Sequence, residues 1–174
     1  MGGVSPPLKT YADQLPSREM QILIPGAGNA YEAEYLFHQG FAGVHVLDIA
    51  ATPLQNLRDR CTEFPKEQTI QGDFFTHQGQ YELILEQTFF CALDPGLRRA
   101  YAAKVHELLV PGGKLVGLLF DFPLEQSVPP FGGSEMEYRS TFSDLFHIQV
   151  LERCYNSIKP RAGRELFIIF EKKF

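Results

Sequence analysis

The chain has 174 residues, 44% of them hydrophobic and 21% charged, with a net charge of −5. That is enough apolar residue to bury the core of one domain, and it excludes a disordered or fibrous chain. The acidic balance without a Lys/Arg run argues against a nucleic-acid partner, no apolar stretch approaches the roughly 18–20 residues that span a bilayer, and the start lacks a signal-peptide pattern. Cys61, Cys91 and Cys154 lie far apart with no CxxC, which suits a reducing, cytoplasmic setting. The histidines show no ligand spacing, so no metal site is expected.

The elements alternate. Residues 20–25 are a short apolar run closed by Pro25 and Gly26, the pattern of a strand buried on both faces. Asn29 is placed to cap a helix running to about Gln39, with Gly40 as its stop. Residues 43–48 read as a second strand, and Thr52-Pro53 as the opening of a helix ending near Glu63. Short strands at 69–71 and 81–86 are separated by about ten residues, too few for a full crossover helix with its loops. An amphipathic helix over 96–109 stops at Pro111-Gly112-Gly113, and residues 114–120 form the most apolar strand. This βαβ rhythm predicts an α/β fold, a doubly wound and mostly parallel sheet with helices on both faces. The tail departs from it: 147–152 and 165–170 are strand-like runs without room for a helix between them. They should pair as an antiparallel hairpin at the sheet edge.

The residues that carry chemistry fall at strand ends. Gly26-Ala27-Gly28 follows the first strand, where glycines let the backbone approach a ligand, although an ordinary tight turn has the same composition. Asp48 ends the second strand about 20 residues later, placed to accept hydrogen bonds from ribose hydroxyls. Tyr31 and Glu32 stand where a dinucleotide fingerprint needs a third Gly or Ala and a helix start free for phosphate. A carboxylate there repels phosphates and suits a cationic or amino-bearing ligand such as S-adenosyl-L-methionine; it is also simply a good first-turn residue. Asp73 and Phe74 follow the third strand, where one can meet an adenine amino group and the other the ring face, or else form a turn and core. Glu86 ends the fourth strand, and a buried carboxylate must be paired or face a ligand.

Together, Ile24-Pro25-Gly26-Ala27-Gly28-Asn29-Ala30-Tyr31-Glu32, Val46-Leu47-Asp48-Ile49, Gly72-Asp73-Phe74-Phe75, Thr88-Phe89-Phe90-Cys91-Ala92-Leu93-Asp94-Pro95 and Leu108-Leu109-Val110-Pro111-Gly112-Gly113 resemble class I S-adenosylmethionine-dependent methyltransferases. More narrowly, the chain is similar over nearly its whole length to the thiopurine S-methyltransferase superfamily, with its halide and thiol methyltransferase branch. Thr88–Ala92 and Pro129-Pro130-Phe131 are the most specific stretches. The resemblance implies a Rossmann-like seven-stranded sheet whose last strand is antiparallel, in a single domain over 1–174. It implies S-adenosyl-L-methionine as cofactor, S-adenosyl-L-homocysteine as product, and a small-molecule methyl acceptor, on a monomer or weak homo-oligomer.

Carried across by residue, the resemblance puts the methionine part of the cofactor at Pro25, Gly26, Ala27, Gly28 and Glu32. It puts ribose at Asp48 and Ile49, adenine at Asp73 and Phe74, and the amino group or a neighbouring water at Glu86. Thr88 borders the cofactor and the acceptor, Phe89, Pro130 and Phe131 face the acceptor, and Gln87 takes the catalytic position. Two departures stand out. Relatives often carry Arg or Tyr where this chain has Gln87, and they carry a Trp-containing lid segment before Gly2–Leu8, whereas this chain has no Trp. Either the lid is short or the reading frame starts upstream of Met1. Methyl transfer to a thiol or halide needs alignment more than a base, and near-attack positioning supplies roughly 7–11 kcal/mol. Two other readings stay open: a cofactor-binding module without turnover, and a nucleotide-dependent oxidoreductase on a related sheet.

Overall fold

The computed structural model describes residues 2–174; Met1, with which the expected domain begins, lies outside it. Helix α1 (Pro6–Ala12) precedes strand β1 (Gln21–Pro25), α2 (Tyr31–His38), β2 (Gly43–Asp48), α3 (Ala51–Arg60) and β3 (Thr69–Gln71). Then come β4 (Tyr81–Gln87), α4 (Arg98–Leu108), β5 (Leu109–Phe120), α5 (Glu135–Phe142), β6 (Phe146–Arg153) and β7 (Glu165–Lys172). The seven strands form one sheet in the order β3-β2-β1-β4-β5-β7-β6. β7 runs antiparallel to both β5 and β6, so the expected tail hairpin exists, with β7 on its inner side and β6 at the edge.

Alternation along the strands feeds two cores. Ile22, Ile24, Val44, Val46, Leu83 and Leu85 meet Leu8 of α1, Ala33 and Leu36 of α2, and Leu54 and Leu57 of α3 on one face. Leu23, Leu47, Ile84 and Leu115 point the other way, towards Tyr101, Val105 and Leu108 of α4 and Tyr138 and Phe142 of α5. Each fully buried Leu or Phe contributes about 1.5–3 kcal/mol, so helices on both faces follow from strands that are apolar on both.

Local expectations differ at the helix ends. α2 is not capped by Asn29: Ala30 occupies that position in the left-handed region at φ 55°, with no side-chain cap. Thr52-Pro53 sits inside the first turn of α3, which begins at Ala51 and ends at Arg60 rather than Glu63. α1 and α5 were not anticipated, yet both carry signals. Ser5-Pro6-Pro7 puts proline in a first turn, and the Ser134 hydroxyl accepts from the Glu137 amide, a capping arrangement.

Candidate active site

The parallel strands deliver their carboxyl ends, and the turns after them, to one edge of the sheet. A cavity of about 450 Å³ lies there, bordered by Gly26 and Gly28 after β1, Asp48 and Ile49 after β2, and Gly72–Phe75 after β3. Thr88, Phe89, Ala92 and Leu93 after β4 close it. A second cavity of about 200 Å³ is lined by Gly3, Ala27–Glu32, Gln87, Thr88 and Arg161. Gly28 and Thr88 border both, so they mark where the two spaces meet.

The wall between them is held by unusual backbone. Gly26 sits at φ +61°, and a Cβ there would lie 2.3 Å from the Phe89 ring, so only glycine lets β1's turn pass under Phe89. Thr88 is a β-branched residue at φ 64°, its hydroxyl donating to the Gln87 carbonyl at 2.6 Å. A branched side chain in that region is strained, and such strain concentrates at functional sites.

Glu86 explains how the strain is held. It is fully buried; its Oε1 accepts from the amides of Phe89 and Phe90, both at 2.9 Å, and its Oε2 from the Tyr101 hydroxyl at 2.5 Å. Burial pushes its carboxyl up to about 7, against the pull of the Tyr101 hydroxyl and the two amides. Both oxygens face the turn and Tyr101, so Glu86 is paired within the protein, one of the two alternatives that a buried strand-end carboxylate leaves open. Cys91 is likewise pushed up to about 12 by burial and is no nucleophile at neutral pH.

After β2, Asp48 Oδ1 accepts the Ala50 amide at 2.9 Å, which orients the carboxylate. Asp73 Oδ1 accepts from the Phe75 amide at 2.8 Å. Phe74 is 4% exposed and stacked on Tyr101 at 5.4 Å, with Phe89 and Phe75 at its edges, so one ring face is already covered by protein. In the second cavity Glu32 Oε1 accepts from the Ser5 amide at 3.0 Å, and burial raises its carboxyl above the usual range. Gln87 Oε1 is buried without a hydrogen-bond partner among the described residues.

Gly26, Ala27, Gly28, Glu32, Asp48, Ile49, Asp73, Phe74, Gln87, Thr88 and Phe89 thus all border one cavity or the other. Pro25, Glu86, Pro130 and Phe131 border neither. Pro25 is buried at the end of β1, and its position in the strand keeps it beneath the turn. Pro130 is exposed, and Phe131 is tied to the turn after β4 by its backbone amide, which donates to the Cys91 carbonyl at 2.7 Å. Arg161 was missed. It lies in the polar loop between β6 and β7, its guanidinium 5.3 Å from the Phe120 ring and 3.7 Å from the buried Glu165. No local motif marks it, since only the antiparallel return of β7 carries that loop to the second cavity.

This strand order, with one antiparallel strand and a divided cavity at the carboxyl edge, defines a Rossmann-like methyltransferase fold. The crystal structure of Burkholderia thailandensis 1,6-didemethyltoxoflavin-N1-methyltransferase, with bound S-adenosylhomocysteine, shares it at a TM-score of 0.74 and 18% identity, over 97% of this chain and 78% of that one. The chain belongs to the thiopurine S-methyltransferase family, whose model matches residues 1–172. It is 30% identical over 153 residues to probable thiol methyltransferase 2 of Arabidopsis thaliana, covering 83% of this chain and 66% of that protein. It is 28% identical over 151 residues to thiopurine S-methyltransferase of Vibrio cholerae, covering 78% of this chain and 69% of that protein. The match therefore spans about two thirds of the length of these relatives.

Proposed function

We propose that this chain transfers the methyl group of S-adenosyl-L-methionine to a small soft nucleophile, a thiol, thiopurine, halide or chalcogen compound. The observation that carries this is the pair of unlike cavities meeting at Gly28 and Thr88. The first, walled by Phe75, Phe89 and Leu93 with Asp48 and Asp73 at its rim, matches a nucleoside. The second gathers Glu32, Gln87 and Arg161, two acceptors and a cation, which match an ammonium and a carboxylate on one small group. The partnerless Gln87 Oε1 fits the same group, because a buried acceptor is satisfied only by an incoming N–H or O–H. Tyr31 and Glu32 disfavour a diphosphate in that place, and family membership disfavours the oxidoreductase reading.

When bound, S-adenosyl-L-methionine supplies a methyl group on a positively charged sulfur, a good electrophile for soft nucleophiles. The protein's part is alignment and exclusion of water. Asp48 accepts from ribose hydroxyls, while Ile49, Phe74 and Phe75 shelter the base, with Asp73 at its edge. Glu32 and Gln87 accept from the ammonium, and Arg161 holds the carboxylate. Pro25, Gly26 and Ala27 shape the floor, Glu86 keeps Thr88 and Phe89 in place, and Phe89 with the loop of Pro130 and Phe131 stands on the acceptor side. Gln87, next to Thr88 in the chain, brings an unpartnered buried Oε1 to the second cavity. The same reading has one domain working in a reducing, cytoplasmic setting on a small molecule, as a monomer or weak homo-oligomer; its three cysteines are free and buried. No helix among the described residues is long and apolar enough to cross a membrane.

Isothermal titration with S-adenosylhomocysteine, followed by transfer of labelled methyl onto thiophenol, a thiopurine, iodide and thiocyanate, tests the proposal. Micromolar binding with turnover of at least one acceptor is expected. Binding without turnover of any acceptor would leave a cofactor-binding module, and no binding at all would reject the site.

A further inference from the structure

Arg98, the first residue of α4, is a cation on the apolar side of its helix. It is 3% exposed and lies against Phe90 and Tyr138, its guanidinium 4.8 Å and 5.9 Å from their ring centres. Its Nη1 donates to Glu137 Oε1 at 2.5 Å and its Nη2 to the Gly132 carbonyl at 2.7 Å, while Nε is buried with no acceptor among the described residues. Stability alone does not account for such a residue. Buried ion pairs are often replaced by apolar side chains without loss, and a buried donor left unpaired is a cost.

What the contacts have in common is the region that the proposed function assigns to the acceptor. Phe90 belongs to the turn that carries Thr88 and Phe89. Gly132 follows Phe131 directly, in the loop between β5 and α5. That loop is pinned at its neck, where the Gly133 amide donates to the Phe122 carbonyl at 2.9 Å, and at its rim, where the Phe131 amide donates to the Cys91 carbonyl. Glu137 is in the first turn of α5, and the neighbouring Tyr138 hydroxyl donates to the Phe120 carbonyl at 2.6 Å. The guanidinium fork thus bridges the turn after β4, the loop after β5 and the start of α5 at once.

On the reading of the site given above, we propose that Arg98 is a positioning residue for the methyl acceptor. Through the Gly132 carbonyl and the Phe90 ring it fixes the loop of Pro130 and Phe131 against the turn of Thr88 and Phe89, and so sets which acceptor shapes the site takes. An aromatic thiol needs that wall to orient its ring; a spherical halide does not. Lysine can satisfy Glu137 as a point charge, but it cannot span both acceptors as the planar fork does.

The test uses the full chain with Arg98→Lys and Glu137→Gln, thiophenol and iodide as acceptors, S-adenosylhomocysteine titration, and amide hydrogen exchange at Phe131. In Arg98→Lys, KM for thiophenol should rise about 10-fold with kcat within about twofold, a loss of positioning without loss of chemistry. Iodide KM and S-adenosylhomocysteine affinity should stay unchanged, and the Phe131 amide should exchange about 10-fold faster, the sign of a local opening. Glu137→Gln, which keeps an acceptor for Arg98, should move the same quantities in the same direction by less, and it carries the test if Arg98→Lys does not fold. An equal loss with both acceptors, with Phe131 exchange unchanged, would overturn the proposal. If the unsubstituted chain methylates neither thiophenol nor iodide, the acceptor role of Arg98 is overturned and Phe131 exchange decides only whether Arg98 holds the loop; the methyltransferase reading falls if the thiopurine and thiocyanate fail as well.

Discussion

The two halves of the site are built by different means. The nucleoside half rests on backbone: Gly26 and Gly28, both at positive φ, pass close to the cavity, and Asp48 and Asp73 each orient a carboxylate by accepting an amide two residues on. The acceptor half rests on buried polar side chains that reach across long sequence gaps. Glu86 holds Phe89, Phe90 and Tyr101, and Arg98 holds Gly132 and Glu137. The first design places its proposed cofactor contacts in short turns and, at Gly26, is intolerant of an added methyl group. The second depends on desolvated charge, so it answers to pH and to single polar substitutions.

The largest effect should come from breaking the backbone half at its tightest point. Gly26→Ala forces a Cβ to within 2.3 Å of the Phe89 ring at a φ that alanine avoids. S-adenosylhomocysteine affinity should fall on the order of 1,000-fold, about 4 kcal/mol, by isothermal titration. Retained micromolar binding would mean that the cofactor does not lie over this turn.

The acceptor half should respond to pH through Glu86. Burial raises its pKa from 4.5 to about 7, so the folded chain binds the proton more tightly than the unfolded chain. Its stabilisation is then fully present below about pH 4.5 and lost as pH rises through about 7, a span worth up to about 3 kcal/mol. Urea unfolding at pH 5 and pH 8 should show the native chain losing more stability over that interval than Glu86→Gln does. Parallel losses would show that Glu86 is not the titrating group.

That contrast also explains what the sequence made legible. The sheet could be read because its strands are apolar on both faces and each turn carries its own glycine or aspartate; 43–48 and 69–71 were placed to the residue. That Asp48, Ile49, Asp73 and Phe74 border one cavity was legible for the same reason, all four being local to strand ends. The cap of α2 was misread because Asn29 has the right chemistry, while the chain turns one residue later through Ala30 in a left-handed conformation. The partner of Glu86 stayed open, because a strand-end carboxylate looks the same whether it meets a ligand or Tyr101, 15 residues away. Arg98 and Arg161 were invisible, since their partners are set by tertiary packing. α5 was missed despite the Ser134 and Glu137 pattern because its few apolar positions carry little periodic signal.

A smaller effect is expected at Asp48, where the two halves can be told apart by ligand. Asp48→Ala removes a charged acceptor and should weaken S-adenosylhomocysteine binding about 30-fold, about 2 kcal/mol, while Asp48→Asn, which can still accept the Ala50 amide, should lose less. Acceptor KM, measured at saturating cofactor, should not move in either variant. A change in acceptor KM would mean that ribose recognition and acceptor geometry are not separable.

The smallest effect belongs to the start of α5, where the Glu137 carboxylate meets Arg98 and the Tyr138 ring lies 5.8 Å from that of Phe90. The Ser134 hydroxyl accepts the Glu137 amide at 3.3 Å, and losing such a cap costs about 1 kcal/mol. Ser134→Ala should therefore lower unfolding stability by about that amount in urea, leave S-adenosylhomocysteine affinity unchanged, and be rescued by Ser134→Asp, which restores an acceptor and adds a charge suited to a helix start. Because Glu137 is the residue whose amide is freed and whose carboxylate binds Arg98, a further rise in thiophenol KM would show that the cap transmits to the acceptor wall. A fall in cofactor affinity instead would show that the nucleoside half is not self-supporting, and the division between the halves would fail.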